Sequence, residues 1–300
     1  MSELNAAGIF DPALRASYEE CKRLNSLHGK TYYLATLLLP AKKRPFVHAL
    51  YGFARYADEI VDDLSSTLSP EEKAKVLREW SSEVLAGLKS GTTSDAVGKA
   101  LIDTVQRFAI PHQHFVDFLH SMEMDLTVTE YKTFDDLYEY VYGSAAVIGL
   151  EMVPILGGDI VNSLSAAKDL GVAFQLANFI RDVSEDLDRG RIYLPLDELA
   201  QHGVSPEMLR ARVLTPQIIS ALKFQIARVR QLQKSAEPGI ALLDKTSQPC
   251  IRAASELYCG IVDEVEKIGY DIFNARAKTS TVRRLKVFIT AYVKRLTVSN

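Results

Sequence analysis

Ala49-Leu50-Tyr51-Gly52-Phe53-Ala54-Arg55-Tyr56-Ala57-Asp58-Glu59-Ile60-Val61-Asp62 and, about 120 residues later, Gln175-Leu176-Ala177-Asn178-Phe179-Ile180-Arg181-Asp182-Val183-Ser184-Glu185-Asp186 follow one plan. Each carries an Asp at i and another at i+4, one helical turn apart, so the two carboxylates point the same way. At about 100° per residue, Tyr51, Arg55, Asp58 and Asp62 fall within an arc of roughly 60°. Phe46, Leu50, Phe53, Ala57, Ile60, Val61 and Leu64 lie around the opposite side. In the second stretch Gln175, Asn178, Asp182 and Asp186 share roughly 80°, opposed by Leu176, Ile180, Val183 and Leu187. Both stretches are predicted to be amphipathic helices with a carboxylate stripe.

One such stripe is the ordinary solvated face of a helix. A solvent face, however, mixes Lys and Glu at i,i+4, whereas these carry Asp, a poor helix former, with Tyr51, Gln175 and Asn178. Two matching stripes facing each other make a site for hard divalent cations. Carboxylates on a dry core face would be prohibitively costly, so the stripes imply a central cavity.

The rest of the chain agrees with a helical bundle. Start signals recur at Ser69-Pro70-Glu71-Glu72, Ser205-Pro206-Glu207, Thr215-Pro216 and Thr133 before Asp136. Breaks are expected at Gly91-Thr92-Thr93, Ile110-Pro111, Gly157-Gly158 and Glu237-Pro238-Gly239. No alternating run bounded by hairpin turns occurs, so strands should be absent or trivial. No linker, low-complexity segment or solenoid repeat divides the 300 residues, and the expectation is one all-α domain over 1–300.

Composition narrows the function. Hydrophobic residues are 47% and charged residues 24%, as in soluble globular proteins. A net charge of −3 argues against a nucleic-acid partner, which would demand a dominant basic face. Cys21, Cys250 and Cys259 have no metal-ligand spacing, and their odd count fits reduced thiols in a cytoplasm. The first twenty residues lack the basic-then-apolar order of a signal peptide. The longest apolar stretch, residues 140–160, contains Glu151 and Pro154 and reads as a buried helix rather than a membrane span.

Paired carboxylates on two helices suit Mg²⁺, with Mn²⁺ as an alternative. Mg²⁺ takes oxygen ligands, keeps waters and bridges carboxylates to substrate phosphates. Lys30, Arg55, Arg181, Arg191 and Arg276 are candidate cations for such an anionic ligand; each alone reads equally as a surface charge. The small residues of Tyr140-Val141-Tyr142-Gly143-Ser144-Ala145-Ala146-Val147-Ile148-Gly149 suit either the approach of a long hydrocarbon or tight helix packing, and Gly143 and Gly149 permit a kink. Magnesium at the mouth of an aliphatic cavity points to a prenyl diphosphate.

These motifs, with Gly190-Arg191-Ile192-Tyr193-Leu194-Pro195, resemble those of the squalene/phytoene synthase family over roughly residues 25–285. Weaker similarities are His28-Gly29-Lys30-Thr31-Tyr32, Leu38-Leu39-Pro40, Tyr131 with Thr133 and Leu137, and Tyr258 with Arg276. The resemblance implies an isoprenoid-synthase helical bundle. It implies Asp58, Asp62, Asp182 and Asp186 as magnesium ligands, directly or through water. Arg55, Gln175 and Asn178 would hold diphosphate or its metal shell, and Asn178 is itself a candidate metal ligand. Lys30, Tyr32, Arg181 and Arg276 are further candidates for substrate binding. Tyr51 and Tyr258 would border the reacting carbons. Gly29 and Tyr32 stand where the family often has Ser and Phe, and Ser144 and Ala146 replace a frequent Val and Gly, which bears on the shape of the pocket.

The implied reaction is head-to-head condensation of two C20 geranylgeranyl diphosphates to phytoene through a cyclopropyl diphosphate. The alternative is a squalene, dehydrosqualene or hydroxysqualene synthase using C15 farnesyl diphosphate. A non-catalytic assembly factor or an isoprenoid-binding protein would not need both Asp motifs. Near the C-terminus, Arg283, Arg284, Lys286, Lys294 and Arg295 alternate with Leu285, Val287, Phe288, Ile289 and Leu296. That helix reads either as core packing with a charged outer face or as a peripheral membrane contact.

Overall fold

The structure is a computed structural model; it describes residues 2–62 and 68–298, without the side chains of Lys30, Thr31, Asp62 and Val298. Asp63 and Leu64 therefore lie outside the described residues. The first half contains α1 (Glu3–Ala6), α2 (Pro12–His28), α3 (Lys30–Thr36), α4 (Arg44–Asp62), α5 (Pro70–Ser90), α6 (Gly98–Phe108), α7 (His112–Met124) and α8 (Phe134–Val141). A π-helical turn, Tyr142–Ala146, leads into α9 (Val147–Leu156) and the central α10 (Ile160–Asp188). Then follow α11 (Leu196–Gln201), α12 (Pro206–Arg210), α13 (Pro216–Ile240), α14 (Gln248–Cys259), α15 (Ile261–Lys267) and α16 (Thr281–Val298). Among the described residues β-structure is limited to two isolated bridges, Glu130 with Ile192 and Gly158 with Leu243. The all-α expectation holds.

Local chemistry sets the helix starts. Ser69 and Glu72 form a reciprocal capping box on α5, and Thr133 and Asp136 do so on α8. Ser205 and Thr215 cap α12 and α13, each followed by a proline in the first turn. The Gly91 and Gly157-Gly158 breaks are found, with positive φ of 78°, 72° and 97°.

The break at Glu237-Pro238-Gly239 is not. α13 runs through Pro238 to Ile240. A Cβ on Gly239 would stand 2.1 Å from that of Ala166, so this glycine permits the close approach of α13 to α10. One hydrogen bond lost at Pro238 is outweighed by the face packed on α10.

The expected kink takes the form of the π-turn. A Cβ on Gly143 would lie 2.1 Å from Asp117 O on α7, and one on Gly171 would lie 2.5 Å from Ala145 O. The turn is thus pressed between α7 and α10.

Two apolar clusters form the core. One joins α2, α4, α6 and α7 around Phe53, Phe115 and Phe118; the other joins α10, α13 and α14 around Leu176, Ile180 and Val229. Val47, Tyr142 and Met152 pack against both. The Asp helices α4 and α10 thereby come to opposite sides of the space between the clusters. Phe134–Leu156 is long and apolar enough to cross a membrane, but 56% of its most apolar window is buried within the protein. Cys21, Cys250 and Cys259 are buried free thiols.

Candidate active site

Two adjoining cavities occupy that space. The polar one, about 350 Å³, is lined by Tyr51, Arg55 and Asp58 of α4 and by Gln175, Asn178, Arg181, Asp182 and Asp186 of α10. The apolar one, about 320 Å³, runs between α3, α4, α9, α10 and α14. Tyr51, Ala54, Phe118, Ser144 and Gln175 line both and form the neck between them. The two motif faces therefore meet in one pocket. The side chains of Asp62 and Lys30 lie outside the described residues.

The motif carboxylates already carry arginines. Arg55 Nη1 donates to Asp58 Oδ2 at 2.7 Å and its Nε to Glu59 at 3.1 Å. Arg181 Nε donates to Asp182 Oδ1 at 2.7 Å. Arg276, beyond α15, reaches Asp182 with Nη2 at 3.0 Å and Glu185 with Nη1 at 3.0 Å. Asp186 is held differently. Burial, and then the neighbouring Asp182 charge, push its pKa up to about 7.

Asn178 supplies a direct test of fit for a divalent cation, since its Oδ1 is buried in this pocket without a hydrogen-bond partner. An amide oxygen beside carboxylates is a hard donor set of the kind Mg²⁺ takes. Among the described residues no group of three or more His, Cys, Asp or Glu converges to hold an ion alone. The arrangement suits an ion completed by waters and phosphate oxygens rather than a closed protein cage.

The far wall of the polar cavity escaped sequence reasoning. Asp125, at the end of α7, accepts from Tyr140 Oη at 2.7 Å and Tyr193 Oη at 2.8 Å, and its backbone carbonyl accepts from Arg191 at 2.6 Å. Burial and Asp125 keep both phenols protonated. A single Asp at a helix end has no periodic partner, and only the fold brings residues from three segments around it. Arg191, noted as a cation, is spent on this cluster. Arg189 also lines the pocket.

Tyr32 lines the apolar cavity instead, and Tyr258 packs behind it. Their rings stack with centroids 4.6 Å apart, and Tyr32 faces Tyr51 at 6.3 Å. Within the small-residue stretch Gly143 packs helices, as one of the two readings expected, while Ser144, Ala145, Ile148 and Gly149 line the apolar wall. Ala146 is not on that wall; it is fully buried in the second core cluster, just outside the helical arc that faces the cavity.

The squalene/phytoene synthase model matches residues 26–283, within two residues of the span expected from the motifs. The chain is 38% identical over 292 residues to the chloroplastic phytoene synthase of Narcissus pseudonarcissus, covering 95% of this chain and 68% of the relative. It is 36% identical over 285 residues to the 15-cis-phytoene synthase of Synechococcus elongatus, covering 91% of each. A ligand-bound dehydrosqualene synthase superposes with a TM-score of 0.85 at 26% identity, over 95% of this chain and 98% of that one. Squalene synthase HpnC from Alicyclobacillus acidocaldarius shares the fold, with a TM-score of 0.80 at 24% identity over 89% of this chain and 99% of that one. With both Asp motifs and the helical bundle in place, the chain belongs to the squalene/phytoene synthase family.

Proposed function

We propose that this chain is a phytoene synthase. One catalytic domain, residues 1–300, joins two geranylgeranyl diphosphates head to head through prephytoene diphosphate and releases two diphosphates. The observation that carries this reading is the shared neck: a pocket of carboxylates and arginines opens directly into a hydrocarbon-lined cavity. The naming of relatives that match over 91–95% of this chain as phytoene synthases, at 36–38% identity, supports the C20 reaction over the C15 alternative.

Asp58, Asp62, Asp182, Asp186 and Asn178 would hold Mg²⁺ or Mn²⁺, directly or through water. When bound, the metal supplies neutralisation of the diphosphate as it leaves. Arg55, Arg181 and Arg276 lie on carboxylates that a divalent cation would claim, which sets them within reach of phosphate oxygens. Lys30 and Gln175 would complete the diphosphate shell. Tyr51 and the Tyr32–Tyr258 stack would border the allylic carbons, where ring quadrupoles favour positive charge. Incubation with C15 and C20 diphosphates and Mg²⁺, with and without NADPH, tests the assignment by product mass. A C30 hydrocarbon as the dominant product would move the chain to the squalene-type reaction.

Arg55 is expected to act on substrate rather than on the fold. It is partly exposed and its partners lie on its own helix, so Arg55→Ala should leave stability within about 1 kcal/mol. Activity should fall at least about tenfold. Normal turnover would remove Arg55 from the diphosphate shell.

Asp186 gives a pH signature. Its folded pKa of about 7 lies above the ordinary 3.8, so the metal-free folded protein holds a proton that the unfolded chain releases. Its contribution to stability is present below the unfolded value and is lost as pH rises through the folded one. Thermal stability without metal should therefore fall between about pH 5 and about pH 8, while the gain in Tm on adding Mg²⁺ grows over the same range. Asp186→Asn should abolish that growth; an unchanged pH dependence in the variant would exclude the residue.

The substrates are lipids, and α16 offers a means of reaching them from a cytoplasmic membrane face. Val287 and Ala291 are buried, and Arg283 and Arg295 are tied to Glu264 and Leu37 O, so these residues serve the fold. Val282, Leu285, Ile289, Val293 and Leu296 form an exposed apolar stripe beside Arg284, Lys286 and Lys294. Binding to anionic liposomes should weaken about tenfold or more in Leu285→Asp/Ile289→Asp. Equal cosedimentation of the variant would defeat the membrane contact.

A further inference from the structure

The apolar cavity ends at a charged clip. Its lining along α10 runs from Gln175 at the neck back to Ser163, about 18 Å along the helix axis. Leu39, Leu156, Ile240 and Leu243 line the cavity at that far end, and all four are buried. They come from three segments: the loop between α3 and α4, the end of α9, and the end of α13 with the turn that follows it.

Two of these segments meet backbone to backbone. Asp159 N donates to Leu242 O at 2.9 Å and Asp244 N to Gly157 O at 3.1 Å. A Cβ on Gly158 would run into Leu242 O, so glycine permits the approach.

Lys43 brings in the third segment. It is only 8% exposed, and its Nζ donates to Leu156 O, to Asp244 Oδ2 at 2.7 Å and to Ser247 Oγ at 3.1 Å. Ser247 Oγ in turn donates to Leu156 O at 2.8 Å. All three donors of the ammonium are therefore in use. Taking a lysine out of water is costly, and simple filling of space would be served as well by an apolar side chain. What the ammonium adds is direction. Its acceptors hold Leu156 and the Leu243–Asp244 turn at one separation, where apolar contacts alone would let them slide.

We propose that Lys43 is a specificity-determining residue, which acts through Leu156 and Leu243 to set the depth of the apolar cavity and hence the longest prenyl chain accepted. The inference rests on the prenyl diphosphate reading. Lys43 touches no substrate and is a positioning residue. With the clip closed, a chain one five-carbon unit too long meets a floor that cannot give, and overpacking rejects it. With the clip broken the floor can recede, while the neck, about 18 Å away, keeps its geometry.

The test uses the full chain with Mg²⁺ and C15, C20 and C25 prenyl diphosphates, singly and in competition at equal concentrations, with Tm measured alongside. Lys43→Met keeps a long side chain and removes the charge. Ser247 still bonds Leu156 O, and the Asp244 side chain, 47% exposed, can be hydrated, so the fold should persist. Incorporation of the chain one unit beyond the longest that wild type takes should rise at least about tenfold. Over the same comparison kcat and KM for C15, whose tail stops short of the floor, should stay within about twofold. A general loss of packing would instead lower turnover of every chain length together. Asp244→Ala opens the clip from its exposed side and should shift chain length the same way by a smaller factor. An unchanged longest chain in Lys43→Met, or an equal fall on C15 and C20, overturns the proposal; if that variant does not fold, an unchanged longest chain in Asp244→Ala overturns it. A wild-type chain that yields no hydrocarbon from any of the three substrates overturns the prenyl diphosphate reading, and this inference with it.

Discussion

Asp182→Asn is expected to lower kcat by at least about 10²-fold, and EDTA to abolish turnover until Mg²⁺ is restored. Asp182 is the most heavily engaged motif carboxylate on α10: Arg181 and Arg276 both donate to it, and its charge is one reason Asp186 holds a proton up to about pH 7. Asparagine keeps the shape and removes the charge, so both arginines lose their counter-ion and the proposed metal site loses an anionic oxygen. The fold should survive, because the asparagine oxygen can still accept from the half-buried Arg181 and the Arg276 partner is substantially exposed. Asp58→Asn, across the pocket on α4, should cost a similar factor. The double variant should lose much less than the product of the two, as for groups acting as one unit. Full activity in chelator would remove the carboxylates from the chemistry and the proposed reaction with them.

Ala166→Phe is expected to turn a C20-preferring enzyme toward C15. Ala166 lines the apolar cavity about two and a half turns before Gln175 on α10, roughly 14 Å from the neck. Its Cβ abuts Gly239, so the ring has room only by turning into the cavity, and a Tm near that of wild type is the check that α10 and α13 stay packed. Each CH₂ of tail buried there contributes about 0.8 kcal/mol, and blocking a five-carbon unit removes several kcal/mol from C20 binding. Overpacking adds roughly 1–3 kcal/mol against the longer chain. Competition between equal concentrations of the two diphosphates should shift by about 10²-fold toward C15 products. Ala146→Phe, by contrast, should damage packing without a selective loss of C20, because Ala146 faces the core. An unchanged C40-to-C30 ratio in Ala166→Phe would place the hydrocarbon tail elsewhere.

Where sequence reading succeeded, the physics was local. The capping boxes at Ser69 and Thr133 and the i,i+4 aspartates need only a few consecutive residues. It failed at Pro238, where the composition of a turn lost to a packed face, and at Ala146, which lies just outside the helical arc that lines the cavity and is buried in the core instead. Neither outcome is a matter of local spacing, since both depend on neighbouring backbones closing in at glycines such as Gly239, Gly143 and Gly171.

The sequence by itself determined the class of structure and the chemistry of its site: helices, two stripes bearing aspartates, and the hard-cation chemistry such stripes support. These follow from covalent geometry, which places residues i and i+4 side by side whatever surrounds them. Only the tertiary structure decided which charges meet. It set Arg276 on Asp182, gathered Tyr140, Tyr193 and Arg191 on Asp125, and tied Lys43 to Asp244 at the far end of the apolar cavity. Those partners come from segments far apart in the chain, and their meeting depends on how whole helices pack, which no local spacing encodes.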